Sequence, residues 1–281
     1  MIYRIVRSAV MCCVLFFVIV IAGGVFLRSK YITPVLMYHY VLDTEAAKKD
    51  KRIVSAQALE VQLRFLKENE YNIIPLEEFA TLLRGKRPIP RNTVVLTFDD
   101  GHLDNYTNAY PLLKKYNLPA TMFVIVDAIS EPNFMTKEQL VEMSNSGLIT
   151  IGSHTFHHSH LPTMSDEGAL QREIYDSKQI LETLLRKPVR CFSYPIGGFN
   201  EKIRAMVIDA GYQCAVSTSP GVDYPNDDPF AIKRVRISEG SKNLLVFWFE
   251  TSGLYKYTLE KRKKYEVEHK KKEHKSSRDE E

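Results

Sequence analysis

The strongest constraint on the fold is an alternation along the chain: short apolar runs are separated by stretches with helical periodicity. The runs PVLMYH (34–39), TVVLTF (93–98), ATMFVIV (120–126), LITIGSH (148–154), CFSYP (191–195) and CAVST (214–218) are short, often β-branched and bounded by turn residues. That is the pattern of buried strands. Between them Ser55 opens a helix with Leu59, Leu63 and Leu66 on one side, Thr136 opens another, and Ser165 opens a longer one reaching about Arg186. Asn200 is placed as an N-cap, and Gly211 is placed to end the helix that Asn200 starts. Strands alternating with helices predict a parallel sheet, and six or more such units in about 220 residues predict a closed α/β barrel. Catalytic groups then belong just beyond the C-terminal ends of the strands. No internal repeat is visible.

At 281 residues and 44% hydrophobic content the chain is able to bury a core. The formal charge of +4 is misleading about partners. Arg4, Arg7, Arg28 and Lys30 supply +4, residues 260–281 carry nine basic against seven acidic side chains, and residues 31–259 are left near −2. A slightly acidic body lacks the basic face that nucleic acid demands, so DNA and RNA are excluded as partners. From Ala9 to Leu27 there are nineteen residues without a charge, about 28 Å as a helix and so close to the thickness of a bilayer core. Ala22 and Gly24 run into Val25, Phe26 and Leu27 rather than a small-x-small cleavage site, which predicts an uncleaved membrane anchor. The basic flanks are too balanced to orient it. Residues 1–30 are therefore read as a short N-terminus with one transmembrane helix, 31–254 as the catalytic domain, and 255–281 as a charged, disordered tail. Cys191 and Cys214 sit in strand-like segments and read as buried free thiols rather than a disulfide.

Four candidate positions fall at strand ends. Asp99 and Asp100 follow TVVLTF, with Gly101 letting the backbone turn away; His154 closes LITIGS; and HTFHH places His158 four positions later. Successive strand residues point in opposite directions, so the two carboxylates are predicted to serve different centres. One Asp with two His residues makes a three-ligand site with an open position for water, as a catalytic divalent metal requires, and the other Asp is free to act as base.

These residues resemble the polysaccharide deacetylases of the NodB type, the fourth family of carbohydrate esterases. TFDDG (97–101) matches the first motif, SHTFHH (153–158) the second and CFSYPIGGFN (191–200) the third, and the likeness spans about residues 33–237. It implies a distorted (β/α) barrel and metal-dependent removal of acetyl groups from sugars, with zinc the first choice of metal. By position it implies Asp99 as base and Asp100, His154 and His158 as ligands, with His157 the neighbouring alternative to His158. The tetrahedral oxyanion would be met by a backbone N–H that falls on Ile196, a tyrosine position in the family. Tyr194 lies beside it, and Tyr38, Tyr106, Tyr194 and Phe199 are aromatics that suit either sugar stacking or the core.

Two departures stand out. The third motif has Ser193 where many members carry an Arg that holds the base, and no His lies between His160 and His269 to serve as the late general acid. The FSYP-type third motif and the opening VLMYH instead resemble the branch containing poly-N-acetylglucosamine deacetylases of biofilm matrices. In that branch a His after the first strand, here His39, reaches the active site, and an Arg of the last strand, Arg234 or else Arg236, replaces the missing partner of Asp99. His102, Asp104 and Asn105 suit either the sugar groove or the start of the next helix. The expected activity is N-deacetylation of an N-acetylglucosamine polysaccharide, such as poly-N-acetylglucosamine or peptidoglycan, with residues from 31 onward outside the membrane. The competing expectations are an O-acetyl xylan esterase and a catalytically weak glycan-binding module.

Overall fold

The computed structural model describes residues 31–43, 45, 50–218 and 226–262, together with residues 11, 16, 265 and 266. The strands that form its framework are β1 (Val35–Tyr38), β2 (Thr93–Phe98), β3 (Ala120–Val124), β4 (Ile149–Ser153), β5 (Cys191–Ser193), β6 (Cys214–Ser217), β7 (Ile232–Lys233) and β8 (Val235–Arg236). They lie in the order β7-β6-β5-β4-β3-β2-β1-β8, and every neighbouring pair is parallel. The two ends of that path are one stretch of chain interrupted at Arg234: Ile232 pairs with Val216, and Val235 pairs with Leu36. The sheet thus returns on itself as a nearly closed barrel. All six apolar runs are strands in it. β7 and β8, at two residues each, are too short for periodicity to show.

Parallel neighbours require crossover connections, and helices supply them: α1 (Ala56–Glu68), α2 (Leu76–Arg84), α3 (Tyr110–Tyr116), α4 (Lys137–Asn145), α5 (Glu167–Gln171), α6 (Ser177–Leu185) and α7 (Glu201–Asp209), while α8 (Leu244–Thr251) follows the last strand. Ser55 caps α1 by accepting from Ala58 N–H at 3.1 Å, Thr136 and Gln139 form a capping box on α4, and Asn200 caps α7. Gly211, at φ 79°, carries the chain away from α7. The start expected at Ser165 is one residue early, because it is the Asp166 carboxylate that accepts from Ala169 N–H. Nor is the stretch to Leu185 a single α-helix. A π-helical turn, Arg172–Asp176, separates α5 from α6 and leaves Glu173 buried.

Side-chain alternation along the strands builds two cores. Val94, Leu96 and Phe98 join Leu59, Leu63 and Leu66 of α1 in the large one between sheet and helices. Val95 joins Val35, Phe123, Cys191, Cys214 and Val216 in a smaller one inside the barrel. Each such buried side chain contributes about 1.5–3 kcal/mol. Gly152 is required here, since a Cβ on it would stand 2.6 Å from the Phe123 ring that fills the interior. Cys191 and Cys214 face each other across β5 and β6 as buried free thiols, their sulfurs 3.3 Å apart.

Apart from Met11 and Phe16, the predicted membrane-spanning residues 9–27 lie outside the described residues, among which no helix is long and apolar enough to cross a membrane. The tail expected to be disordered from residue 255 begins otherwise: residues 255–262 are helical. Lys256 is buried and its Nζ donates to the carbonyls of Arg234 (2.7 Å) and Thr218 (3.3 Å), while Lys233 pairs with Glu260 at 2.8 Å. The packed unit therefore extends past residue 254, because two charged residues of that stretch find partners beside the last strands.

Candidate active site

The strand ends bring the sequence-selected groups together. Asp99 continues the inward alternation of Val95 and Thr97 and is buried. Its carboxylate is gripped at both oxygens by Arg234, Nη1 to Oδ1 and Nη2 to Oδ2 at 2.7 Å each. Thr97 and Ser193 brace the same guanidinium at 3.2 and 3.1 Å. So the guanidinium missing at Ser193 arrives from Arg234 instead, and the serine hydroxyl takes up the space it left. Arg236 is exposed, not on a shared face, because the chain moves from β6 to β1 at Arg234. Burial opposes the charged form of Asp99, but the Arg234 and His154 charges outweigh it and hold the carboxyl below its ordinary range.

The adjacent carboxylates converge on one centre instead of serving two. Asp100 leaves the strand at φ 74° and Gly101 follows at φ 81°, so strand alternation ends at Asp99. His154 Nε2 then lies 4.0 Å from Asp99 Oδ2 and 3.5 Å from Asp100 Oδ1. His154 Nδ1 is bonded to the Ser193 carbonyl at 2.8 Å, which makes Nδ1 the donor and turns the Nε2 lone pair toward the carboxylates. Burial disfavours charge on His154, yet Asp99 and Asp100 raise its pKa overall.

His158 reaches the site without any helical turn. Residues 154–160 form a loop with left-handed residues at Thr155 (φ 68°) and His158 (φ 61°), and the Thr155 hydroxyl accepts from His158 N–H at 3.0 Å. His158 Nε2 stands 3.6 Å from Asp100 Oδ1. One donor atom from each of Asp100, His154 and His158 lies within 4.8 Å of the other two. Two imidazole nitrogens and a carboxylate oxygen this close fit a divalent cation. His157 faces elsewhere: its Nδ1 is 2.9 Å from Glu173, its Nε2 3.9 Å from Asp127.

Two residues support the site in ways the sequence does not foretell. The buried Glu173 carboxylate accepts from the N–H groups of Phe156 (3.0 Å) and His157 (2.9 Å) and from the Ser159 hydroxyl (3.0 Å), fixing the loop that carries His158. An acid on the apolar side of a helix, between Leu170, Ile174 and Ser177, was the available signal. His102, weighed only as a groove or helix-start residue, bonds Asp100 Oδ2 at 3.2 Å while its ring stacks on Tyr40 at 3.8 Å. His102 and Asp104 do border a cleft of about 420 Å³, together with Tyr40, Asn108 and Phe134. Asn105 instead faces inward and donates to the His39 carbonyl at 2.7 Å. Burial opposes charge on Asp100, but bonds from His102 and His154 win and hold its carboxyl far below the usual range.

His39 follows β1, and the charges of Asp99, Asp100, Arg234 and His154 all act on it. Burial dominates and lowers its pKa, and its Nδ1 has no partner among the described residues. Ile196 is 70% exposed, holds a left-handed φ of 60° that β-branched residues avoid, and its N–H meets no acceptor among the described residues. Two of the aromatics are excluded from sugar stacking. Tyr194 is wholly buried, its ring on Phe199 and its hydroxyl donating to the Phe230 carbonyl, and Tyr38 is buried with its hydroxyl on Gln62.

A profile of the polysaccharide deacetylase family matches residues 86–215, which include both aspartates, both histidine ligand candidates and the third motif. Over 207 residues the chain is 34% identical to YxkH of Bacillus subtilis (strain 168), a protein named as a polysaccharide deacetylase, covering 74% of this chain and 72% of that one. Over 208 residues it is 29% identical to the poly-beta-1,6-N-acetyl-D-glucosamine N-deacetylase of Staphylococcus aureus (strain MRSA252), covering 69% and 71%. Among solved structures, the Streptococcus pyogenes deacetylase PplD in complex with acetate aligns with a TM-score of 0.69 at 28% identity, over 76% of this chain and 97% of that one. Three short motifs and a barrel that gathers them at one end thus agree with similarity along most of the chain, which belongs to the polysaccharide deacetylase family of hydrolases.

Proposed function

We propose that the chain is a zinc-dependent N-deacetylase of a poly-N-acetylglucosamine-type polymer, held at the outer face of a membrane by residues 9–27. The observation that carries this reading is a buried base, Asp99, clamped by Arg234 beside the donor cluster of Asp100, His154 and His158. A divalent ion held by those three residues would supply a charge that polarises the acetyl carbonyl and acidifies water towards a pKa of about 7. Asp99, kept ionised by Arg234, accepts the proton of the attacking water as the carbon–oxygen bond forms. Ile196 N–H, projecting from its left-handed turn, donates to the oxygen that gains negative charge. As the carbon–nitrogen bond breaks and acetate is released, the proton that Asp99 took from water passes on to the sugar amine, with neutral His39 accepting it and handing it over. Ser193 O, through His154 Nδ1, and His102, through Asp100, fix the orientation of two ligands.

Substrate choice rests on the named activity of the Staphylococcus aureus relative and on the amide chemistry that the site suits. The binding-module reading, which rested on Ser193 and on the missing late His, loses the first of these, since Arg234 supplies the guanidinium that Ser193 lacks. The full chain in detergent should release acetate from poly-β-1,6-N-acetylglucosamine and lose that activity to a chelator. Release from acetyl-xylan alone, or chelator-resistant release, would overturn the reading. For topology, protease added to intact cells should digest residues beyond 31; protection until lysis would contradict an outward-facing barrel.

A further inference from the structure

α8 has the sequence LLVFWFET and turns only Phe247, Glu250 and Thr251 inward. Leu244, Leu245, Val246, Trp248 and Phe249 remain exposed, Leu245 by 78% and Trp248 by 55%. Scattered apolar side chains on a surface are ordinary, but five within six residues are not. The helix is firmly seated: Phe247 packs edge-on against Phe65 at 5.8 Å, and Tyr71 and Thr251 join their hydroxyls at 3.1 Å. Its outer face is thus displayed by a well-packed element.

Its position says what covers that face. Just past α8, the Gly253 carbonyl accepts from Ile32 N–H at 2.9 Å, and the Tyr31 ring lies against Gly253. The uncharged run of residues 9–27 ends four residues before Tyr31, and four residues span at most about 14 Å. A bilayer that takes up residues 9–27 therefore lies within reach of α8. Exposed Lys242, which also donates to Gln57 at 2.7 Å, precedes the helix and exposed Lys261 follows it, cations suited to anionic headgroups, whereas Arg262 is paired with Glu266 at 3.2 Å. A second copy of the chain is a poorer occupant, since an eight-residue helix is only about 12 Å long, and a stable dimer buries about 800 Å² per partner.

We propose that α8 is an interfacial membrane helix, its Leu245, Trp248 and Phe249 face set into the headgroup–acyl boundary of the leaflet beside the anchor. The barrel then rests on its α8 flank, and the catalytic end opens along the membrane surface rather than away from it. This rests on the membrane reading above, and the test separates the two.

Trp248 is the one tryptophan in the sequence, so intrinsic emission reads α8 alone. The full chain is reconstituted into phosphatidylcholine–phosphatidylglycerol vesicles, with and without lipids brominated near the headgroup end of the acyl chain. The expected result is that bromination lowers Trp248 emission at least about twofold, since interfacial helices bury their apolar face roughly 5–10 Å deep. Leu245→Glu and Leu245→Ser, both at an exposed position, should recover most of that emission. An alkaline carbonate wash of the same vesicles reads the anchor independently. Quenching in protein that the wash removes supports α8 and sinks the anchor. Retained protein whose emission ignores bromination overturns the proposal: acrylamide quenching then places α8 in water, and acrylamide shielding that grows with protein-to-lipid ratio assigns the face to a second copy. Protein that does not float with vesicles at all overturns both.

Discussion

Replacing Arg234 by Met tests whether Asp99 depends on the pairing seen in the structure. The substitution removes two 2.7 Å bonds to Asp99 and two longer ones to Thr97 and Ser193, while a methionine fills much of the volume. Asp99 is then a buried carboxylate without its counter-charge, and breaking one side of such a pair costs about 3–5 kcal/mol. Against a total stability of about 5–15 kcal/mol, that corresponds to a fall in Tm of roughly 10 °C. The sign of the pH dependence follows from the lowered pKa of Asp99. A depressed carboxyl contributes stability above its unfolded pKa of about 3.9, and loses it as pH falls through the folded value. The gap between wild type and Arg234→Met is therefore complete at pH 7 and narrows below about pH 4. Urea unfolding followed by circular dichroism, on wild type, Arg234→Met, Asp99→Asn and the double variant, measures both the gap and the coupling. The double variant should be at least about 2 kcal/mol more stable than additivity predicts. Additive losses, or a gap that ignores pH, would mean that Arg234 does not hold Asp99 in its charged form.

His158→Ala should abolish bound metal and acetate release whereas His157→Ala keeps the metal, because His157 is turned to Glu173 and Asp127; metal analysis of the purified variants decides between them. His102→Phe preserves the stack on Tyr40 but removes the bond to Asp100, so a chelator competition should show metal affinity falling about 10–100-fold. Ile196→Gly relieves a left-handed β-branched residue and keeps the backbone N–H, so thermal unfolding should move up by about 1 kcal/mol with kcat within a fewfold. A loss beyond tenfold there would mean that the Ile196 side chain, not its N–H, serves the reaction.

The barrel was legible because β2 is six buried residues in a row and the helix starts at Ser55, Thr136 and Asn200 are true side-chain caps. Asp99, Asp100 and His154 stand out in the sequence because each follows an apolar run, and His158 because it lies four positions after His154. What periodicity hid were features set by single backbone torsions or distant partners. The left-handed turn at Asp100 converts two opposed carboxylates into one converging pair. The loop around His158 is held by Glu173 from a π-helical turn, a local insertion that a 3.6-residue pattern averages away. Tyr194 looked available for a sugar because aromatic spacing does not reveal that its ring is stacked on Phe199 and covered. The start of the tail at residue 255 looked solvated from composition, yet Lys256 and Glu260 meet their partners only once the last strands are in place.

In the proposed reaction neighbours divide the work: Asp99 moves a proton while Asp100, His154 and His158 hold a cation. Metal content and acetate release from poly-β-1,6-N-acetylglucosamine, measured on the same preparations of wild type, Asp99→Asn and His154→Ala, separate the two roles. Asp99→Asn should retain about one equivalent of metal while turnover falls about 10²–10⁴-fold, and His154→Ala should lose both. Near-normal turnover in Asp99→Asn would move the base elsewhere, and full metal and activity in His154→Ala would mean that His154 is not a ligand.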